Sequence, residues 1–172
     1  PYCLLTYRQL LAGSSKLHYF DAFLRKAMGR SARVLVFAFS KAAMALLQAY
    51  VKAVTSGYDG VDAGLLDQLG SAPVPFVMGN APSALTEEAV RWFEQPVDAR
   101  RRRSRLMVLS AIAGGRGLNL PSADHVFLFE PMQSQRVDNQ TVARALRRTR
   151  SASTPLQVYQ TIAVDTVEHG QH

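Results

Sequence analysis

The sequence predicts an α/β fold in which a parallel β-sheet is sandwiched between helices. Short, continuous apolar runs recur along the chain, and such runs are typical of buried parallel strands. Segments with apolar residues at helical spacing separate the runs, which is the alternation expected of βαβ units. The chain has 172 residues, of which 48% are hydrophobic, so it is long enough for one domain with a sizeable core.

The first elements follow from pattern and from capping chemistry. Apolar residues at helical spacing predict an amphipathic helix over 16–28. The run RVLVFAF at 33–39 is short and rich in β-branched residues, which predicts a buried strand. Ser40 can cap the helix that we expect over 41–54, because serine hydroxyls accept hydrogen bonds from the first turn of a helix.

The remaining elements continue the alternation, after a loop-rich insertion that we expect over 55–73. Further strands are expected at 74–78, 106–109, 125–129 and 156–163, and further helices at 63–69, from Ser83 or Thr86 to about 94, at 134–148, and from Asp165 onward. Glu87 and Glu88 are expected in the first turn of their helix, where carboxylates are favourable. The loops at 40, 79–80, 110–119 and 130–134 would then follow strand ends, where such folds bind ligands.

The charge of the chain favours a polyanionic partner. The formal net charge is +7 and the sequence pI is about 10.0, which suits phosphate neutralisation on a nucleic acid. The basic stretch at 100–105 is expected to be a solvated loop, a DNA-backbone contact or a nuclear import signal. Cys3 is the only cysteine, so neither an intrachain disulfide nor a cysteine-based zinc site can form.

No apolar run approaches the length needed to span a bilayer, so we expect no membrane partner. The chain begins at Pro1 without an initiator methionine or a signal-peptide pattern, so we expect a single domain that is a fragment of a longer protein.

Glycines cluster directly after the strand predicted at 106–109. Gly114, Gly115 and Gly117 lie within four positions, and glycine permits positive φ and close backbone approach. Exposed amides in such a loop can face a phosphate or a sugar. A plain tight loop explains the cluster equally well.

Gln140, Arg144 and Arg147 are spaced by four and three residues, so a helix brings them to one face. Two arginines on one face can direct planar cationic groups at an anion, such as the γ-phosphate in phosphoryl transfer. A solvated basic face or a DNA-phosphate patch is the alternative.

The residue patterns of these two segments resemble motifs V and VI of the Swi/Snf family of helicase-like ATPases. The residues that match motif V are Ser110, Ala113, Gly114, Gly115, Gly117, Asn119, Leu120, Ala123, Asp124 and Pro131, with Glu130 in place of the usual aspartate. The residues that match motif VI are Gln140, Arg144 and Arg147. The similarity extends over about residues 15–168 and is weakest at 55–105.

The resemblance implies a RecA-like helicase C-terminal lobe with two groups of site residues. It implies that Arg144 and Arg147 are arginine fingers that complete an ATP site across an interdomain cleft. It implies ATP contacts at Gly115, Arg116, Gly117, Asn119 and Gln140, and DNA contacts at Ser40, Gly79, Asn80, Ser110 and Gly114. The implied partners are double-stranded DNA, nucleosomes and an N-terminal RecA-like lobe, and the implied location is the nucleus.

The sequence contains neither a GxxxxGK[ST] loop nor an Asp-Glu pair of the Walker B type. In this family both belong to the first lobe, so we expect that lobe to hold Mg²⁺ with ATP and the isolated fragment to be inactive. No metal site is expected in the present chain. The resemblance fits a translocase better than a strand-separating helicase, which remains an alternative.

Several positions depart from the family pattern. Ala111 and Ile112 replace a threonine and a basic residue, and Leu146 replaces a histidine in motif VI. Thr149 and Arg150 replace its Gly-Gln. These departures favour a second hypothesis, a degenerate lobe that acts as a DNA- or protein-binding scaffold without catalysis.

Overall fold

A five-stranded, all-parallel sheet forms the centre of the protein in a computed structural model that describes residues 5–28, 32–57, 60–69, 73–95, 104–114, 118, 120–131, 143 and 155–163. The strands are β1 (Arg33–Ala38), β2 (Phe76–Val77), β3 (Arg105–Ser110), β4 (His125–Leu128) and β5 (Gln157–Gln160). The helices are α1 (Tyr7–Gly13), α2 (Ser15–Met28), α3 (Lys41–Thr55), α4 (Ala63–Leu69), α5 (Ser83–Glu94) and α6 (Ala111–Gly114). The predicted parallel sheet between helices is confirmed.

The strand order is β2-β3-β1-β4-β5, with β1 at the centre. Val36 of β1 is in register with Val108 of β3 on one side and with Phe127 of β4 on the other. Both flanks of β1 are therefore hydrogen-bonded, and its side chains are buried on both faces from Val34 to Ala38. This burial on both faces explains why β1 is a continuous apolar run.

Each face of the sheet has its own core. On one face, α1 to α4 cover Val34, Val36, Val108 and Phe127, and the ring of Phe20 in α2 is tilted by 59° to that of Phe127 with 4.9 Å between centroids. The other face has Leu35 and its neighbours under α5 and α6. The two cores bury both faces of the sheet between helices. The ends of the strands are left at the two edges of the sheet.

Most of the predicted elements are confirmed, including α2, the short helix α4 at its predicted bounds, and the cap of α3. The Ser40 hydroxyl accepts a hydrogen bond from the Ala43 amide at 3.0 Å. The sequence patterns gave no sign of α1, which begins at a capping box formed by Thr6 and Gln9. The helices predicted at 134–148 and from Asp165 fall outside the described residues, apart from Ala143.

Some of the predicted bounds and placements are wrong. The strand predicted over 74–78 contains only Phe76 and Val77, because proline at 73 and 75 lacks the amide hydrogen that a sheet ladder requires. Helix α5 begins at Ser83 and ends at Glu94, as predicted, but Pro82 is in the cap position and Glu87 and Glu88 lie beyond the first turn. The loop expected from residue 110 contains the short helix α6 instead.

A buried carboxylate joins the helices of the first face, and the sequence patterns did not single it out. Asp21 of α2 is 4% exposed and accepts hydrogen bonds from the hydroxyl groups of Tyr7 and Tyr50, the latter at 2.7 Å. Arg25 Nε donates to the other carboxylate oxygen at 2.8 Å, and its Nη1 lies 3.2 Å from Asp62, which caps α4. We call Tyr7, Asp21, Arg25 and Tyr50 the Asp21 cluster; it links α1, α2 and α3 to the start of α4.

Burial and the neighbouring carboxylate both oppose ionisation of the two tyrosines. Burial first, and then the hydrogen bond to Asp21, raise the pKa of Tyr7 to about 12. Burial and the charge of Asp21 raise the pKa of Tyr50 well above its usual value. The cluster is therefore held together by neutral hydroxyl donors on a charged acceptor.

Candidate functional site

The carboxyl ends of all the described strands meet at one edge of the sheet, since every described pair is parallel. We call this the C-terminal edge. From β2 across to β4 it carries Gly79 and Asn80, then Ser110, then Ser40, then Glu130. The chain leaves β1 toward β2 on one side and later returns to β4 on the other, so the strand order reverses at β1, the usual position of a ligand crevice in such sheets.

At the centre of this edge, the carboxylate of Glu130 holds the turn between β1 and α3. Its Oε2 accepts hydrogen bonds from the Phe39 amide at 3.1 Å, the Ser40 amide at 2.9 Å and the Ser40 hydroxyl at 3.1 Å. Glu130 and Ser40 are both half-buried. The start of α3 also favours an anion because the helix dipole is positive there.

Ser110, at the end of β3, is a buried serine that caps α6. Its hydroxyl accepts a hydrogen bond from the Ala113 amide at 3.2 Å, and the residue is 6% exposed. Ala111 is the first residue of α6, and the backbone of Gly114 ends the helix. The turn after β3 is thus built by Ser110 itself.

Gly79 and Asn80 form a tight turn after β2, at the outer side of the same edge. The turn is closed by a hydrogen bond from the Ala81 amide to the Met78 carbonyl at 3.0 Å, and Asn80 is exposed. Its side chain is accessible on the β3 side of this edge, as the DNA-contact hypothesis requires.

The opposite edge of the sheet is closed by internal contacts. Asp124 Oδ2 accepts a hydrogen bond from the Arg33 amide at 2.9 Å, while the Asp124 amide donates to the Arg33 carbonyl at 2.9 Å. Glu94, at the end of α5, accepts from the amide and the hydroxyl of Ser122. Asp124, which matches motif V in the sequence, therefore aligns β4 with β1.

Arginines at this second edge pack against α5. Arg33 Nη2 donates to the Gln95 carbonyl at 2.8 Å, and Arg105 donates to the carbonyl of Trp92 with its guanidinium 5.2 Å from the centre of the Trp92 ring. Burial first, and then the charge of Arg33, lower the pKa of Arg105. These cations therefore close the end of α5 onto the sheet.

The structure brings Ser40, Gly79, Asn80 and Ser110 to one edge, together with the backbone of Gly114. The predicted ATP contacts Gly115, Arg116, Gly117, Asn119 and Gln140 and the predicted arginine fingers Arg144 and Arg147 lie outside the described residues, so their roles stay predictions. Sequence reasoning noticed Glu130 only as a replacement for aspartate and missed its contact with Ser40. No local pattern links two residues so far apart in the chain.

The described residues contain neither a three-ligand metal cluster nor a membrane-spanning helix. Among them, no group of three histidine, cysteine or acidic side chains is arranged to hold a metal ion. No described helix is both long enough and apolar enough to cross a bilayer.

The parallel sheet with helices on both faces is the fold of a RecA-like helicase C-terminal lobe. The family described as helicase conserved C-terminal domain matches residues 15–149, and the chain belongs to that family. The predicted Swi/Snf-type C-terminal lobe is confirmed by the relatives and structures that the chain resembles.

One curated relative is the human SWI/SNF-related matrix-associated actin-dependent regulator of chromatin subfamily A member 1, which is 29% identical over 95% of this chain. The chain spans only 14% of that relative's length. The C-terminal part of the Fun30 ATPase domain has a TM-score of 0.69 at 20% identity, covering 94% of this chain and 45% of the solved one. The Sulfolobus solfataricus SWI2/SNF2 ATPase core domain has a TM-score of 0.65 at 18% identity, with coverage of 92% and 28%.

Proposed function

We propose that this chain is the second RecA-like lobe of an ATP-driven DNA translocase of the chromatin-remodelling type. The observation that carries the proposal is the meeting of Ser40, Gly79, Asn80 and Ser110 at one sheet edge, from three different strands. Open parallel sheets bind ligands beyond the carboxyl ends of their strands, so the turns that carry these residues can face several phosphates of the same duplex.

ATP would bind between this lobe and an N-terminal RecA-like lobe. The sequence has no phosphate-cradling GxxxxGK[ST] loop, so that partner lobe supplies the loop and holds Mg²⁺. Gly115, Arg116, Gly117, Asn119 and Gln140 would contact the nucleotide from this side. Arg144 and Arg147 would supply positive charge to the transferring phosphoryl group. Because the phosphate-cradling loop and the acidic holder of Mg²⁺ belong to the partner lobe, the isolated lobe should neither bind ATP tightly nor hydrolyse it.

DNA would be held through its backbone. The net charge of +7 favours a polyanion, and a grip on phosphates carries no sequence information directly. ATP binding that favours the closed pair of lobes, followed by hydrolysis that releases it, would drive translocation by differential affinity. With nucleosomes as the substrate, the protein would act in the nucleus.

A second candidate is a scaffold lobe that binds DNA or protein without supporting catalysis. It is favoured by one observation: α6 begins with Ala111 and Ile112, where the family has a threonine and a basic residue. These residues remove two polar contacts from the turn after β3. The two candidates differ in whether the parent protein hydrolyses ATP.

The decisive experiment compares two neighbouring arginines in the intact parent protein. In the helix predicted over 134–148, Arg148 lies about 100° around the axis from Arg147, so Arg148→Ala is a charge-matched control for Arg147→Ala. We expect Arg147→Ala to lower the DNA-stimulated kcat by about 10³-fold, since arginine fingers contribute on that order. DNA affinity should change similarly in both variants, because each loses one charge.

Unchanged ATPase activity in Arg147→Ala would remove the finger assignment. Equal losses in Arg147→Ala and Arg148→Ala would indicate a general charge effect. A wild-type parent that binds DNA but hydrolyses no ATP would support the scaffold.

A further inference from the structure

The predicted DNA contact Ser40 has already committed its hydrogen-bond donors inside the protein. A serine has one hydroxyl donor and one amide donor. The hydroxyl donates to Glu130 Oε2 at 3.1 Å, and the amide donates to the same oxygen at 2.9 Å. A phosphate could take either donor only by displacing the carboxylate, so Ser40 is poorly suited to a direct contact.

Glu130 is therefore the residue that holds the conformation of the turn between β1 and α3. Its carboxylate oxygen gathers three donors from that turn, and hydrogen bonds to a charged acceptor are about twice as strong as neutral ones. The Ser40 hydroxyl in turn accepts from Ala43 at 3.0 Å, so the restraint continues into the first turn of α3.

Glu130 also stands at the end of β4, directly before Pro131. From here the chain continues into residues 132–150, which include the predicted arginine fingers. One side chain thus ties the end of β4 to the turn that begins α3, across the centre of the C-terminal edge.

We propose that Glu130 is a positioning residue that couples the DNA-facing turn after β1 to the strand end leading to the arginine fingers. The inference rests on the proposed function, because it needs both sites to be active. Glu130 touches neither DNA nor ATP; it keeps the two segments in one relative position, and Ser40 acts through it.

The test uses the intact parent protein and a control glutamate at the other edge. Glu94 also accepts from a backbone amide and a serine hydroxyl, both of Ser122, but it lies far from the C-terminal edge. Glu130→Ala, Glu130→Asp and Glu94→Ala are compared by DNA-stimulated kcat, by the DNA concentration at half-saturation and by hydrogen exchange of the Phe39 and Ser40 amides, below the melting temperature of each.

We expect Glu130→Ala to lower the DNA-stimulated kcat by about tenfold, since small misplacements of reacting groups are costly, while DNA half-saturation moves by less than about threefold. Exchange at Phe39 and Ser40 should accelerate. Glu130→Asp keeps the charge and should retain most of the activity. Glu94→Ala should lose stability without the fall in kcat, and Ser40→Ala should add little to Glu130→Ala because both break one contact.

The proposal is overturned if Glu130→Ala and Glu94→Ala have equal kcat values, or if half-saturation alone changes. In the first case Glu130 is only structural, and in the second it acts on DNA itself. A wild-type protein without DNA-stimulated ATPase activity would instead contradict the proposed function. The proposed coupling role of Glu130 would then be contradicted as well.

Discussion

Two carboxylates in this protein each accept three hydrogen bonds, yet their surroundings differ in kind. Asp21 is buried among side chains of α1, α2 and α3, with two tyrosine hydroxyls and one guanidinium as donors. Glu130 is half-buried at the C-terminal edge, and its donors belong to the single turn at Phe39 and Ser40.

The difference shows that the source of the donors, more than their number, decides what a carboxylate does. Side-chain donors from several helices make Asp21 a lock on the helical face, since its removal leaves buried polar groups without an acceptor. Donors from a single turn, two amides and one hydroxyl, make Glu130 a local restraint beside solvent. Stability should therefore depend on Asp21, and coupling between sites on Glu130.

The largest expected effect on stability comes from Asp21→Asn. The amide keeps the shape but removes the charge on which two buried tyrosine hydroxyls converge, and weakening hydrogen bonds to a buried charged acceptor costs about 3 kcal/mol. The free energy of unfolding of the lobe, measured in urea, should fall by about that amount. A loss below about 1 kcal/mol would erase the contrast with Glu130.

The second-largest effect is expected at high pH, where ionisation of Tyr7 should weaken the Asp21 cluster and lower the free energy of unfolding. The pKa of Tyr7 is raised to about 12 in the folded protein, against 10.0 for an ordinary tyrosine. The stabilisation from its neutral form is complete below pH 10 and is lost as the pH rises toward 12, by roughly 1.4 kcal/mol per pH unit.

Unfolding in urea between pH 9 and pH 12 measures this slope, with Tyr7→Phe as the control, because phenylalanine cannot ionise. Equal slopes for the wild type and Tyr7→Phe would contradict the raised pKa.

The smallest effect is expected from Asp124→Ala at the second edge. Its Oδ2 accepts a hydrogen bond from the Arg33 amide, and leaving that amide without its acceptor should cost about 1–2 kcal/mol. A thermal melt of the lobe checks the loss. The intact protein should keep its DNA-stimulated kcat, and a fall comparable to that of Glu130→Ala would show that both edges serve the site.

The sequence was most informative where local rules and burial agree. Strands β1, β3 and β4 are continuous apolar runs because helices cover both faces of the sheet, and α4 was found at its observed bounds. The predictions failed where local competition decided the outcome. Prolines shortened β2, Pro82 took the cap position of α5, and a capping box began α1 without a long apolar pattern.

The candidate site was predictable in position rather than in contacts. Glycines, serines and Asn80 after strand ends indicated one edge, since parallel strands bring their carboxyl ends together. The order of residues along that edge required the strand order β2-β3-β1-β4-β5, which no local pattern encodes.

By itself, the sequence determined the class of fold, the capping serine of α3 and the family of the chain. Hydrophobic periodicity, helix capping and sequence motifs are local properties of the chain, so each can be read without the tertiary structure. Only the tertiary structure decided that Glu130 takes the donors of Ser40 and that Asp21 joins the helices of one face. Ser40 and Glu130 are 90 residues apart in the chain, and Asp21 and Tyr50 are 29 apart. Such hydrogen bonds form only after packing has removed water from both partners and brought them together.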